Sequence, residues 1–401
     1  MKSIVYSFLI IASFLTTGCT SISKLYKSGS VNQDEFYGRT TFETAFDLII
    51  VPVNINGKRY RFLFDTGAPM VISEELRDEL ELNTVNQGNV SDSQGERKKL
   101  DYVWLDKVTI GGVDFEKTGA VVADLNKAPE IHCMQIDGIL GANMMKLAVW
   151  KIENQNKAMF FASSKEKLSV GDNDRLAIDF QTKTTYSPVI DLSISDSTTI
   201  KRVTFDTGYG GYLSLDGDYF DSTLTVLEKS YGYSSTGLYG SSYDTVLDVK
   251  TSMTFGDFNQ VAPVVFSMAK SKNLLGMDFI NQFDVVLDWN TNTIELYPVK
   301  LESQKIKSFG LTPKWNDKKL IVGSVSKGSL AEIDGIEVGD VIVKLNRWDF
   351  REPRLATYCD MMLELHGKNV SVMRLELEDG RSYTFTKDNL SKVQKVKEEQ
   401  N

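Results

Sequence analysis

Histidine occurs only twice in these 401 residues and cysteine only three times. His132 stands beside Cys133, which invites a metal reading, but the other histidine is the distant His366 and no ligand spacing is present. No metal and no cofactor is expected. Cys19, Cys133 and Cys359 make no evenly paired framework, so Cys133 and Cys359, in different expected domains, read as buried or free thiols rather than as a disulfide scaffold. Basic residues are outnumbered, 45 Lys and Arg against 54 Asp and Glu, for a net charge of −9. That balance argues against nucleic acid, whose binders present a basic face. Beyond the N-terminus no apolar run is long enough to span a bilayer.

The apolar fraction, 42%, is ample for packed cores, and the length allows two to three domains. Two stretches organise the chain, Phe62-Leu63-Phe64-Asp65-Thr66-Gly67-Ala68 and Val203-Thr204-Phe205-Asp206-Thr207-Gly208. In each, an apolar strand delivers an acid, a β-branched hydroxyl residue and a glycine to a tight turn. Gly67 and Gly208 permit another backbone to approach closely or allow φ > 0. Thr66 and Thr207 carry hydroxyls able to bond across to the opposite turn. Two such turns brought together set two carboxylates against each other, and like charges at that distance do not both ionise near neutral pH. One holds a proton while the other stays a base, which suits activation of a water against a carbonyl.

The repetition extends well past the triplets. Gly141 of Ile139-Leu140-Gly141 follows Asp65 by 76 residues, and Gly276 of Leu274-Leu275-Gly276 follows Asp206 by 70. Asn143, Met144 and Met145 then resemble Asp278, Phe279 and Ile280. Upstream, Val51, Val53 and Ile55 alternate as a strand, as do Ile190, Leu192 and Ile194. Hairpin-like stretches follow each triplet at Val108-Thr109-Ile110-Gly111-Gly112 and Met253-Thr254-Phe255-Gly256-Asp257. The period is far too long for a solenoid, so the pattern reads as two lobes built on one plan.

Over roughly residues 42 to 300 the chain resembles the aspartic peptidases, the pepsin and retropepsin clan. The resemblance implies a mainly β fold of two duplicated lobes with a central cleft, lobe one at 42–163 and lobe two at 176–300, joined by the charged stretch Ser163 to Arg175. It also implies Asp65 and Asp206 as the catalytic pair, supported by Thr66, Gly67, Thr207 and Gly208, acting on a polypeptide substrate. Ala68 is what retroviral members carry after the triplet, whereas Tyr209-Gly210-Gly211 stands where a small residue is usual. A helix is expected from Ser73 to Leu82, with Ser73 as N-cap and Leu76 and Leu80 on one face. In the family, the region equivalent to residues 85–104 is a flap that closes over substrate. On residues alone it reads equally as a surface hairpin. A second candidate flap, Tyr231 to Gly240, is either a sticky peptide-gripping surface or a strand edge lying on its lobe.

From about residue 301 the composition changes, and Gly328-Ser329-Leu330-Ala331-Glu332, Gly335-Ile336 and Gly339-Asp340-Val341-Ile342 resemble a bacterial PDZ domain over 305–390. The resemblance implies an α+β unit after the lobes. Ser308-Phe309-Gly310-Leu311 takes the place of a carboxylate-binding loop, and Pro353 to Leu365 that of a groove helix bearing Leu355, Cys359 and Met362. A C-terminal peptide ligand would then meet Phe309, Gly310, Leu311, Leu355 and Met362, adding as a strand. A PDZ fold that packs on the lobes and binds no peptide is the alternative.

At the N-terminus, Lys2 precedes an apolar run from Ile4 to Leu15 that ends in small residues, as a secretory signal does. Leu15-Thr16-Thr17-Gly18-Cys19 resembles a bacterial lipoprotein box, which implies acylation of Cys19 and a membrane partner through the lipid. An ordinary signal peptide cleaved nearby is the other reading. Residues 20–41 are polar and glycine-dotted and suit a spacer. The whole reads as an aspartic endopeptidase lipid-anchored in the bacterial cell envelope, facing periplasm or exterior, with a PDZ domain for peptide or substrate recruitment. The rival is a catalytically silent peptide-binding envelope protein.

Overall fold

Leu48–Ile55 and Lys58–Asp65 are joined by a tight turn at Asn56 and Gly57, both at positive φ, and so pair antiparallel, with Ile50 opposite Leu63 and Val53 opposite Tyr60. In lobe two, Pro188–Ile194 and Thr198–Phe205 pair the same way, Val189 opposite Thr204. The structure is a computed structural model that describes residues 21–92, 95–171, 175–195, 198–299, 307–367 and 370–389.

Each apolar-apolar-glycine motif lies alongside its triplet. Gly138–Gly141 runs parallel to the Asp65 strand, Leu140 opposite Phe64 and Gly141 opposite Asp65. Leu274–Leu275 runs parallel to the Asp206 strand, Leu275 opposite Phe205. Both are flanked on the other side by an antiparallel strand, which puts Val71 opposite Ile139 and Ser214 opposite Leu274. A parallel strand buried on both faces must be apolar, which is why these short runs carry no polar residue.

The lobes meet in a six-stranded sheet, where Val149–Glu153 of lobe one pairs with Phe283–Asp288 of lobe two. Above it, Phe64 packs edge-on against the fully buried Trp150, which stacks on Phe115 and Phe161. The residue before the catalytic candidate is thereby fixed in the core. The helix after the first triplet spans Glu74–Glu79, shorter than expected, because Glu81 turns into the left-handed region at φ +54°. Ser73 caps it, its Oγ accepting from the Leu76 N–H at 3.0 Å.

Residues 21–41, expected within a spacer, are instead built into lobe one. Helix Ile22–Lys27 buries Leu25 and Tyr26, Ser30–Val31 pairs with Val113–Ala123, and Tyr37–Thr41 adds to the six-stranded sheet. The apolar residues that anchor this segment are isolated along the chain, so their burial replaces the missing periodicity. Cys19 and the signal segment lie outside the described residues. Among the described residues, no helix is long and apolar enough to cross a membrane.

The C-terminal unit has strands Leu311–Asn316 and Lys319–Ser326, a four-stranded sheet, and helix Leu355–Gly367. It is not a bead on a string. Its strand Lys319–Ser326 pairs with the lobe-two hairpin strand Val226–Gly237, Tyr231 opposite Val325, so the lobe-two sheet continues into it. Cys133 and Cys359 are joined in a disulfide across 226 residues, correcting their reading as free or merely buried thiols. Helix Pro129–Met134 of lobe one docks on helix Leu355–Gly367, which brings the two Cα atoms to 5.0 Å. The fold is thus mainly β, with two duplicated lobes around a cleft and an α+β unit after them.

Candidate active site

The two triplets meet at the lobe interface and hold each other by reciprocal bonds. The Thr66 Oγ1 accepts from the Thr207 N–H at 3.0 Å and donates to the Phe205 carbonyl at 2.5 Å. In mirror fashion, Thr207 Oγ1 accepts from the Thr66 N–H at 3.0 Å and donates to the Phe64 carbonyl at 2.8 Å. Both threonines are fully buried, so each hydroxyl satisfies a donor and an acceptor that water cannot reach.

Each glycine backs onto the opposite carboxylate. A Cβ at Gly67 would lie 2.5 Å from Asp206 Oδ2, and one at Gly208 would lie 2.3 Å from Asp65 Cγ. Only glycine permits this approach, and the reciprocity brings Asp65 and Asp206 together across the interface. Burial first, then the charge of Asp206, pushes the Asp65 carboxyl well above the ordinary aspartate range. Asp206 is also raised by burial. The Gly208 N–H, the bond with Asp65 and the nearby Lys183 and Lys272 ammonium groups pull it back down. Both carboxyls are thus pushed up, and the two titrate as one buried pair that shares a proton.

The turns differ in one respect. Asp65 Oδ1 accepts from the N–H groups of both Gly67 and Ala68, at 2.7 and 3.1 Å. Asp206 Oδ1 accepts from Gly208 alone, at 2.9 Å, because the Tyr209 N–H turns to the Asp206 carbonyl at 3.3 Å. The Tyr209 ring is accommodated by absent side chains. A Cβ at Gly211 would meet its hydroxyl at 2.3 Å, and one at Gly276 its Cδ1 at 2.5 Å. Tyr209-Gly210-Gly211 is therefore a packed unit in which the glycine makes room for the ring.

A cavity of about 310 Å³ opens over the pair. Both hairpins roof it: the lobe-one hairpin of strands Asn86–Ser91 and Arg97–Ile110 contributes Val90, Ser91 and Asp92, and the lobe-two hairpin contributes Thr236, Gly237 and Leu238. They touch where the Tyr239 hydroxyl donates to the Val90 carbonyl at 3.0 Å and the Tyr239 N–H to Asp92 Oδ2 at 3.2 Å. Both candidate flaps thus face the cleft. The lobe-one wall is apolar, with Leu63, Ile136 and Ile139. The lobe-two wall carries Lys183, Thr204, Ser271 and Lys272. The two lysines were not singled out from sequence. Lys272 had a usable signal, since it stands two residues before the apolar run whose Leu274 pairs with Thr204; Lys183 had none.

The expected PDZ residues gather about a second core. Leu311 is buried in it, and Phe309, Leu355 and Met362 pack against it. Gly310 takes φ +78° and faces Ser329, but its N–H already donates to Ser308 Oγ at 2.9 Å. Both walls of the expected groove also hold lobe one. Glu130 Oε1 accepts from Lys314 of strand Leu311–Asn316 at 3.0 Å and from the Tyr358 hydroxyl of the helix at 3.2 Å. His132 bonds Asn126 through Nδ1, and among the described residues no group of acids, histidines and cysteines is arranged to hold a metal.

Residues 51–144 match the family model described as aspartyl protease, and residues 299–376 match that of the PDZ domain. No curated protein matches the chain.

Proposed function

We propose, from an aspartyl protease domain joined to a PDZ domain, that this chain is an aspartic endopeptidase that hydrolyses peptide bonds with a water held between Asp65 and Asp206. The observation that carries the reading is the reciprocal fit of Gly67 against Asp206 and Gly208 against Asp65 under the crossed Thr66 and Thr207 bonds. Ionised Asp206 takes a proton from the water as it attacks the scissile carbonyl. Protonated Asp65 donates to the developing oxyanion, and a proton then passes to the leaving amine. The two titrate as a pair, so the rate is bell-shaped in pH. A rate flat from about pH 4 to 9 counts against the mechanism.

The PDZ domain recruits peptide or substrate, and the chain works in the bacterial envelope on a lipid at Cys19. Equal labelling of wild type and Cys19→Ala by a clickable fatty acid removes the anchor. The catalytic reading is tested with residues 20–401 and the Asp65→Asn and Asp206→Asn variants against a mixed peptide library from about pH 3 to 8. Wild-type cutting lost in each folded variant supports the pair; cutting that survives either substitution refutes it. The single backbone donor at Asp206, against two at Asp65, favours a second reading, a silent peptide-binding protein. Three equally inert proteins would put that reading first.

A further inference from the structure

The two lobes share one backbone plan, so each position lining the cavity has a counterpart whose side chain can be compared. Thr204 stands two residues before Asp206 as Leu63 does before Asp65, and Ser214 lies opposite Leu274 as Val71 does opposite Ile139. Around the lobe-one positions the wall stays apolar. Around the lobe-two positions it gains two ammonium groups, Lys183 and Lys272, both half-buried and both lining the cavity.

Neither lysine makes an ion pair among the described residues. Lys183 Nζ donates to Thr204 Oγ1 at 2.6 Å, and Lys272 Nζ to the Ser91 carbonyl at 3.3 Å. An ammonium group has three donors, so each retains two. Ser271, the chain neighbour of Lys272, also lines the cavity, and its buried Oγ has no hydrogen-bond partner among the described residues. Both ammonium groups feel the Asp65–Asp206 pair and Lys272 also feels Asp92 of the roof, but their spare donors and the unpartnered hydroxyl together still make a receptor for a carboxylate.

Resting on the peptidase reading above, we infer that the cleft selects polypeptides with an acidic side chain on the lobe-two side of the scissile bond and an apolar one on the lobe-one side. The acid's carboxylate accepts from Lys183, Lys272 and Ser271, while the opposite residue packs on Leu63, Ile136 and Ile139. Lys183 and Lys272 are specificity-determining residues in this arrangement.

The test uses four matched peptides cut, or held, by the full chain at about pH 6, where a glutamate side chain is ionised. Two carry Phe and Glu across the central bond in either order, and two carry Phe and Gln. In one order the Glu peptide is cut with kcat/KM about tenfold or more above its Gln twin, chiefly through KM, as a charge-assisted pair implies. Lys183→Met with Lys272→Met brings the ratio to near one. The same peptides, fluorescently labelled, are titrated by anisotropy against the Asp65→Asn protein, which reads binding without turnover. If wild type cuts nothing but Glu peptides still bind about tenfold tighter, the peptidase reading fails and the acidic preference stands. Equal cutting and equal binding of Glu and Gln in both orders overturns the inference. A Glu preference that survives in the folded double variant overturns its assignment to the two lysines. The wild-type ratio alone decides the preference if the variants do not fold.

Discussion

Replacing Thr207 by valine tests whether the crossed threonines hold the lobes in register. Valine keeps the shape, so no cavity opens, but the hydroxyl is lost. The Thr66 N–H then has no acceptor and the Phe64 carbonyl loses a donor, both at a fully buried interface. Each unsatisfied group costs roughly 1 to 3 kcal/mol, so Thr207→Val should lose about 2 to 6 kcal/mol. Thr66→Val strands the Thr207 N–H and the Phe205 carbonyl and should cost the same. The two hydroxyls sit 3.5 Å apart in one network, so the double variant should cost less than the sum, since the first loss already loosens the contact that the second would break. Urea unfolding followed by tryptophan fluorescence, to which the buried Trp150 packed against Phe64 contributes, reads the stability. Peptide cleavage reads the chemistry, and kcat should fall more than KM changes, because the same turns carry the carboxylates. Thr207→Ser, which retains the hydroxyl, should recover most of both. Thr207→Val within about 0.5 kcal/mol of wild type and with unchanged kcat would refute the argument.

Gly208→Ala should abolish cleavage, because the new methyl lies 2.3 Å from Asp65 Cγ. Gly210→Ala, whose nearest contact is the Phe46 carbonyl at 3.9 Å, should leave kcat within about twofold. Equal kcat in the two would remove the close approach from the mechanism. Asp248 faces Glu228 across the lobe-two hairpin, and burial with that charge raises its carboxyl from 3.8 to about 7. The folded chain holds this proton where the unfolded chain has released it, so stability falls as pH rises from 3.8 to about 7. Melting curves of Asp248→Asn should show the variant gaining on wild type at alkaline relative to acid pH; parallel profiles would refute it. Cys133→Ser with Cys359→Ser opens a loop of 226 residues and should lower stability by up to about 5 kcal/mol. The Glu130 contacts remain, so the PDZ unit stays docked, and full detachment in limited proteolysis would contradict that.

What could be read before the structure was whatever the chain states twice or locally. The triplets and the apolar-apolar-glycine runs repeat with matched spacing, and the parallel register of Leu140 with Phe64 and Leu275 with Phe205 is what that spacing serves. Ser73 announces its helix because capping is local. The disulfide was illegible for the opposite reason: it depends on two helices from different units docking across 226 residues. The pairing of Ser230, Tyr231 and Gly232 with Ser326, Val325 and Ser324 was equally hidden, because a strand's sequence gives its faces and not its neighbour. Residues 21–41 looked like a spacer because Leu25, Tyr26 and Phe36 are anchors without a period.

Duplication within one chain explains why the two halves of the site need not agree. Chemistry by a shared proton requires like backbones at Asp65 and Asp206, and the crossed threonine bonds impose that on both copies. Nothing imposes like side chains. Lobe one answers Ala68 and Leu63 with Tyr209 and Thr204 in lobe two, and it presents no lysine to the cavity where lobe two presents Lys183 and Lys272. A dimer of identical lobes would carry both lysines twice, setting four cations about one carboxylate pair and drawing the proton off both aspartates. With two lysines on one side only, burial raises both carboxyls while the ammonium groups pull Asp206 back down. The asymmetry that sorts the cleft into an apolar and a cationic wall therefore also makes the surroundings of the two carboxyls unequal.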